Sequence, residues 1–124
     1  MVGSNDTTAP VIDASYRRLL AAMEALFAEQ PFLLGERPGA GDFSLYGQLT
    51  QLVGFDPTPR AIAYEVSPRT VAWVNCMEDH TGLPAEDAQW ITSDQVPAVL
   101  KAVLNEVGRV YVPALLANAR ALEA

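Results

Sequence analysis

The sequence predicts an all-α fold, a single bundle of five or six helices. Apolar residues recur at spacings of three and four along most of the chain, and no segment shows the alternation that is typical of a half-buried strand. Prolines and glycines divide the chain into helix-sized segments. With 124 residues, the chain has the length of one domain and can bury a core without disulfides or metals. We expect residues 1–9 to form a flexible segment and residues 10–124 to form the helical domain.

The first helix is predicted to begin at Pro10 and to end at Pro31. Proline is well tolerated in the first turn of a helix, where its missing N–H would have no partner. The segment between the two prolines carries one apolar face of about five turns, made up of Ile12, Tyr16, Leu19, Leu20, Met23, Leu26 and Phe27.

A second helix is predicted from Ala40 to Val53. Asp42 is the one charged residue between Gly41 and Gly54, so we expect this helix to contact protein on most sides and to lie at the centre of the bundle. Gly47 stands in its middle, where glycine costs about 1 kcal/mol relative to alanine, and we expect it to allow a neighbouring helix to approach closely.

Two shorter helices follow, each with a proline at its start. Thr58 before Pro59 is typical of an N-cap followed by the first helical residue and predicts a helix to Val66. Ser67 before Pro68 repeats the signal and predicts a helix to about His80. Gly82 and Pro84 then favour termination.

The last part of the chain is predicted to be a loop and one or two helices. Residues 85–93 form the loop, which Trp90 and Ile91 are expected to attach to the core. An amphipathic stripe begins near Asp94 and contains Val96, Val99, Leu100, Val103, Leu104 and Val107. Gly108 and Pro113 interrupt it, so we expect a kink or a new helix there.

Composition excludes several classes of partner. The chain has 15 acidic and 8 basic residues, a net charge of -7. Nucleic acid and anionic membranes are bound by clustered lysine and arginine, so we expect neither as a partner. One cysteine and one histidine cannot form an intramolecular disulfide or a structural zinc site. The lone thiol, the absence of a long apolar stretch and the lack of a signal peptide favour a cytoplasmic protein.

Few residues suggest catalysis. Cys76 and His80 are four residues apart and would share a helix face, the minimum arrangement for an activated thiol, but no third group orients the pair. A packed cysteine and a histidine at a helix C-terminus are the structural interpretation. Arg17 and Arg18 would either approach an anionic ligand or lie on a solvated helix face. The sequence predicts no catalytic residue and no metal site.

One segment carries a more specific motif. Residues 31–38 read PFLLGERP, and residues 40–49 read AGDFSLYGQL. Asp42 falls at the third helical position, where its carboxylate can reach back to the N-cap amide and form half of a capping box. These residues resemble the "FLLG-(D/E)-R-P-S-x-A-D-F-x-L-Y-G" segment of the glutathione S-transferase C-terminal domain. Residues 67–74, SPRTVAWV, look like that family's "hPxVxxWxxRM" helix, and the resemblance extends over about residues 10–122.

The resemblance implies a fold and a role. It implies that Asp42 is a structural capping residue rather than a catalytic acid, although Gly39 replaces the family's usual serine or threonine. It also implies a domain that contributes an apolar wall to an electrophile site and part of a dimer interface. The apolar-site candidates are Tyr16, Met23, Trp73, Met77 and Tyr111, each of which would otherwise be a core residue.

The resemblance also implies partners that this chain lacks. In the family, a thioredoxin-like N-terminal domain holds glutathione, the co-substrate, and supplies the residue that activates its thiol. No βαβ pattern of such a domain occurs in the sequence. We therefore expect that this domain alone binds no cofactor and has no activity in isolation. The expected partners are a thioredoxin-like domain and a second copy in a homodimer, and the expected ligand is a small apolar electrophile.

Two other hypotheses stay open. The chain would be a free-standing helical module that binds a small apolar ligand or a protein partner, which predicts a complete polar surface and a stable, monodisperse species. Alternatively, it would be an enzyme that depends on Cys76.

Overall fold

A computed structural model describes residues 5–80 and 90–123, and in these residues the all-α prediction is confirmed. The chain forms five α-helices with a π-helical segment after the second. Their bounds are α1 Ala9–Glu29, α2 Ala40–Leu49, the π-helical segment Thr50–Phe55, α3 Pro57–Val66, α4 Pro68–Met77 and α5 Ala98–Glu123. Extended pairing within the described ranges is limited to isolated bridges between Gly35 and both Phe32 and Trp90.

The central helix is α1, so the prediction that residues 40–53 occupy the centre is wrong. Helix α1 packs against α3, α4 and α5, whereas α2 contacts α4 and the π-helical segment. The uncharged residues of α2 include small and polar ones that face solvent, and even Phe43 is half exposed. The core gathers around the second half of α1 and contains Leu20, Met23, Leu26, Phe32, Leu49, Val53, Ala63, Val71, Trp73, Val74, Met77, Leu100 and Val103.

The second predicted helix is divided. The α-helical hydrogen bonding stops at Leu49, and residues 50–55 continue in wider π-helical turns. The last of these turns is closed by the amide of Asp56, which donates to the carbonyl of Gln51 at 2.8 Å. A Cβ placed on Gly47 would meet nothing within 4 Å, so the expectation that this glycine admits a close neighbour is wrong.

The two short helices, α3 and α4, differ in how well their predicted starting residues agree with the structure. Ser67 caps α4 as predicted, since its hydroxyl oxygen accepts the amide of Thr70 at 3.2 Å. Helix α3, in contrast, begins at Pro57 rather than Pro59, because Asp56 is the N-cap and accepts the amide of Thr58 at 3.1 Å. Both Asp-Pro and Thr-Pro are valid start signals, and the chain uses the first of them.

The end of α4 and the beginning of α5 both differ from prediction by several residues. Helix α4 ends at Met77 instead of about His80, and the predicted terminators Gly82 and Pro84 lie outside the described residues. Of the predicted loop, Trp90 donates to the carbonyl of Arg37 at 3.2 Å and Ile91 packs against the core.

Helix α5 begins at Ala98 rather than near Asp94 and continues to Glu123. Pro97 explains the later start, because a proline disfavours helical backbone in the residue before it. Neither Gly108 nor Pro113 ends the helix. Of the two expectations, a kink or a new helix, the new helix is therefore wrong. None of the helices in the described ranges is long and apolar enough to cross a membrane.

Candidate functional site

The five predicted apolar-site residues divide into two groups. Met23, Trp73 and Met77 lie in the core, with at most 6% of their surface exposed. Tyr16 is half-buried and Tyr111 is exposed, and both line one groove between α1 and α5. The structure therefore brings Tyr16 and Tyr111 together in one groove, whereas the other three are core residues.

The groove that contains the two tyrosines is called the α1–α5 groove. It has a volume of about 360 Å³, which is within the range of small-molecule sites. Most of its lining is apolar, and its walls are formed by Val11, Ile12, Ser15, Tyr16, Leu19, Glu106, Val107 and Tyr111.

One ion pair closes an edge of this groove. The guanidinium of Arg18 donates to the carboxylate of Glu106, with a shortest distance of 2.7 Å, and the hydroxyl of Ser15 reaches the same carboxylate at 3.3 Å. The hydrogen bond from Arg18 lowers the pKa of Glu106, against the opposing effect of burial. Arg17 is likewise engaged, by Asp13 at 3.1 Å and Glu65 at 3.2 Å. Both arginines therefore serve helix packing and surface pairing, not an open anion site.

Tyr16 also borders a second groove, which is next to the first and shares Ile12 and Tyr16 with it. The phenol donates to the carbonyl of Pro59 at 3.3 Å, which fixes the ring between α1 and α3, and burial raises the pKa of this phenol. The second groove, called the α1–α3 groove, has a volume of about 500 Å³ and is lined by Ala9, Ile12, Asp13, Tyr16, Leu52, Asp56, Thr58, Pro59 and Ile62.

Asp42 is fully buried and joins two parts of the backbone. One carboxylate oxygen accepts the N-cap amide of Gly39 at 2.9 Å, and the other accepts the amide of Leu33 at 2.8 Å. The first bond is the carboxylate half of a capping box for α2. The second attaches the irregular connector between α1 and α2 to the same side chain. Asp42 thus binds backbone amides and lines neither of the two grooves.

Trp73 also contacts the connector between α1 and α2. Its ring stacks on Phe27 with centroids 4.9 Å apart, and its indole N–H donates to the carbonyl of Pro31 at 3.0 Å. The neighbouring Cys76 is exposed, and the His80 ring packs edge-on against Phe32 at 5.2 Å. Across the described ranges, no group of three or more His, Cys, Asp or Glu side chains is arranged to hold a metal.

Sequence reasoning missed a polar cluster between α1 and α4. The carboxylate of Glu24 accepts the hydroxyl of Ser67 at 2.9 Å and the amide of Arg69 at 3.0 Å, and it also pairs with the guanidinium of Arg69. Burial acts to raise the pKa of Glu24, but these hydrogen bonds outweigh it and the net pKa is lowered. Ser67 carries a local signal as an N-cap, whereas the contact with Glu24, 43 residues away in the chain, has none.

Comparison with known proteins agrees with this geometry. The model of one family, "Glutathione S-transferase, C-terminal domain", matches residues 9–76, more than half of the chain. This match spans α1 through most of α4 and includes both Asp42 and Trp73, while α5 lies beyond it. The same searches found no matching curated protein and no matching solved structure. On the family match and the all-α fold, the chain belongs to the glutathione S-transferase C-terminal domain family.

Proposed function

We propose that this chain is the helical half of a glutathione S-transferase-like protein, in which the α1–α5 groove is a wall of the electrophile site. The observation that carries the proposal is an apolar face that nothing in the described chain covers. It joins Val11 and Ile12 of α1 to Val107 and Tyr111 of α5, and Leu115 lies one turn further along α5; these residues are between 41% and 61% exposed. Soluble monomers rarely leave so large an apolar patch in water unless it binds something.

The relative directions of the two helices explain why this face is open. Glu106 contacts Ser15 and Arg18, and Tyr111, further along α5, lines the groove with residues near the start of α1. The helices are therefore antiparallel, and roughly the last ten residues of α5, about 15 Å at 1.5 Å per residue, extend past the start of α1. The apolar side chains of α5 continue beyond the helix that buries them.

The family suggests what covers this face. A thioredoxin-like domain that holds glutathione would dock against it, and the α1–α5 groove would then lie at the junction, where Tyr16 and Tyr111 contact a small apolar electrophile. Under this proposal the chain supplies no catalytic residue and needs that domain for activity. We also propose that the protein forms a homodimer and works in the cytoplasm. A reducing environment suits the exposed thiol of Cys76.

The first experiment tests whether the chain is silent alone. The purified chain is mixed with glutathione and 1-chloro-2,4-dinitrobenzene, and conjugation is followed by absorbance. The expected rate equals the uncatalysed rate. Conjugation above that rate would contradict a silent half-protein, and if Cys76→Ser then abolished it, a cysteine-dependent enzyme would replace the proposal.

The second experiment tests the exposed face with the uncharged dye Nile red. Strong emission with the native chain is expected, and the double variant Tyr111→Lys/Leu115→Lys should remove most of it. The control is Phe55→Lys, because Phe55 is 82% exposed but lies in the π-helical segment, away from this face. Weak emission with a monodisperse wild-type chain would instead favour a free-standing module.

A further inference from the structure

We propose that the α1–α3 groove is a separate binding site for small organic cations that carry an apolar body. This inference does not rest on the function proposed above. The α1–α3 groove shares Ile12 and Tyr16 with the α1–α5 groove, but the rest of its lining is different and includes residues at the start of α3. Its volume of about 500 Å³ falls within the usual range for small-molecule sites.

The groove has an apolar floor and an acidic rim. Ile12, Leu52 and Ile62 supply aliphatic surface, and the ring of Tyr16 is held in place by its bond to Pro59. The two carboxylates of the lining are Asp13 and Asp56, and no lysine or arginine contributes to it. A floor of this kind accepts a hydrophobic body, and a tyrosine ring also attracts a cation placed over its face.

The charge that favours a cation belongs to the lining itself. Asp13 and Asp56 give it two negative charges. Arg17 bonds to Asp13 but also to Glu65, and the opposite charges of Arg17 and Glu65, neither of which lines the groove, offset each other. Arg60 stands over the Tyr64 ring at 5.6 Å and is not part of the groove lining.

The helix dipoles oppose this charge without cancelling it. The N-termini of α1 and α3 both border the groove, and each is equivalent to roughly half a positive charge. Two such ends offset about one of the two negative charges. The remaining charge is negative, and each carboxylate already engaged in a hydrogen bond keeps acceptor capacity for a further donor.

The test compares three probes that each carry a benzyl group and differ in charge: the cation benzyltrimethylammonium, the anion phenylmethanesulfonate and the neutral benzyl alcohol. Each is titrated into ¹⁵N-labelled chain, and backbone amide shifts are followed. We expect saturable shifts around Asp13 and Thr58 with the cation, binding about tenfold weaker for the anion and the alcohol, and weaker cation binding at high salt.

Matched variants locate the charge. Asp13→Asn/Asp56→Asn removes both carboxylates while keeping the side-chain shape, and asparagine caps a helix about as well as aspartate. Cation affinity should fall roughly tenfold in this variant, while Glu29→Gln, at the far end of α1, should leave it unchanged. Ala9→Trp keeps the charge and fills the mouth of the groove, so it should abolish binding even if the double variant unfolds.

Several results would overturn the proposal. They are equal affinity for the three probes, tighter binding of the sulfonate, unchanged cation affinity in the folded double variant, or shifts that cluster along α5 instead of α3. The dissociation constant expected for so small a probe is on the order of 10 mM or below. If the cation caused no saturable amide shifts up to about 10 mM, that result would also overturn the proposal. None of these results depends on whether the α1–α5 groove serves an electrophile.

Discussion

Replacing Asp42 with alanine should destabilise the chain more than any other single change of a carboxylate. The side chain is fully buried and accepts two backbone amides, from Leu33 at 2.8 Å and Gly39 at 2.9 Å. Alanine removes both acceptors and leaves two amides without partners in a half-buried connector. The same change weakens the start of α2 and the attachment of the connector.

The expected cost follows from the number of bonds. A hydrogen bond to a charged group contributes about 1.5–3 kcal/mol, so two of them contribute about 3–6 kcal/mol. Water reaching the half-buried amides in the variant lowers this, and we expect a loss of about 3–4 kcal/mol. A chain of this length has an unfolding entropy near 0.26 kcal/mol/K at about 2.1 cal/mol/K per residue, so the midpoint should fall by roughly 10–15 °C.

The assay is urea unfolding followed by tryptophan fluorescence, with thermal unfolding by circular dichroism as a second measure. Asp42→Asn should lose about half as much as alanine, because an amide keeps one acceptor but turns an NH₂ group toward the second donor. Asp6→Ala, at an exposed site, is the control and should change the free energy of unfolding by less than about 0.5 kcal/mol. A loss below about 1 kcal/mol for Asp42→Ala, or equal losses for alanine and asparagine, would refute the reasoning.

Three further changes test other parts of the fold. Glu24→Gln should lower the free energy of unfolding by about 1–2 kcal/mol at pH 7, because it weakens the contacts with Ser67 and Arg69. Since the pKa of Glu24 is lowered in the folded state, this difference between variant and wild type should shrink as the pH falls below about 4; a difference that does not change with pH would contradict a stabilising role for the ionised Glu24. Trp73→Phe keeps the ring stack but loses one hydrogen bond to a backbone carbonyl, so the free energy of unfolding in urea should fall by about 1–2 kcal/mol. The fluorescence that remains comes from the more exposed Trp90 and should be red-shifted; an unchanged emission maximum would count against burial of the Trp73 ring. Gly47→Ala should stabilise by up to about 1 kcal/mol in thermal unfolding, since its Cβ would meet nothing within 4 Å, and a destabilised variant would show that this face of α2 is in contact with something.

The sequence predicts the helices well because their signals are local. The Ser67–Pro68 pair and the apolar period of α1 depend on residues within a few positions of one another, and both are found where predicted. Where two local signals compete, as at Pro57 and Pro59, the choice depends on how the preceding π-helical segment ends, which no local pattern reports. The same limit applies at Pro113, since a proline in an exposed helix has a cost that its neighbours in sequence do not fix.

The site is less predictable from the sequence, because an apolar stripe on a helix does not show how much of its length is buried by neighbouring helices. Leu20 and Met23 are fully buried, whereas Val11 and Ile12 on the same helix are 61% and 53% exposed. Tyr16 lies between these two regions, where the core ends and the two neighbouring grooves begin. The position of that boundary depends on how α1 and the antiparallel α5 are aligned along each other and on where the short helix α3 packs against α1. Both depend on tertiary packing. Met23 and Tyr16 therefore carry the same sequence signal, and the lengths of their neighbours decide that one is core and the other faces a ligand-sized space.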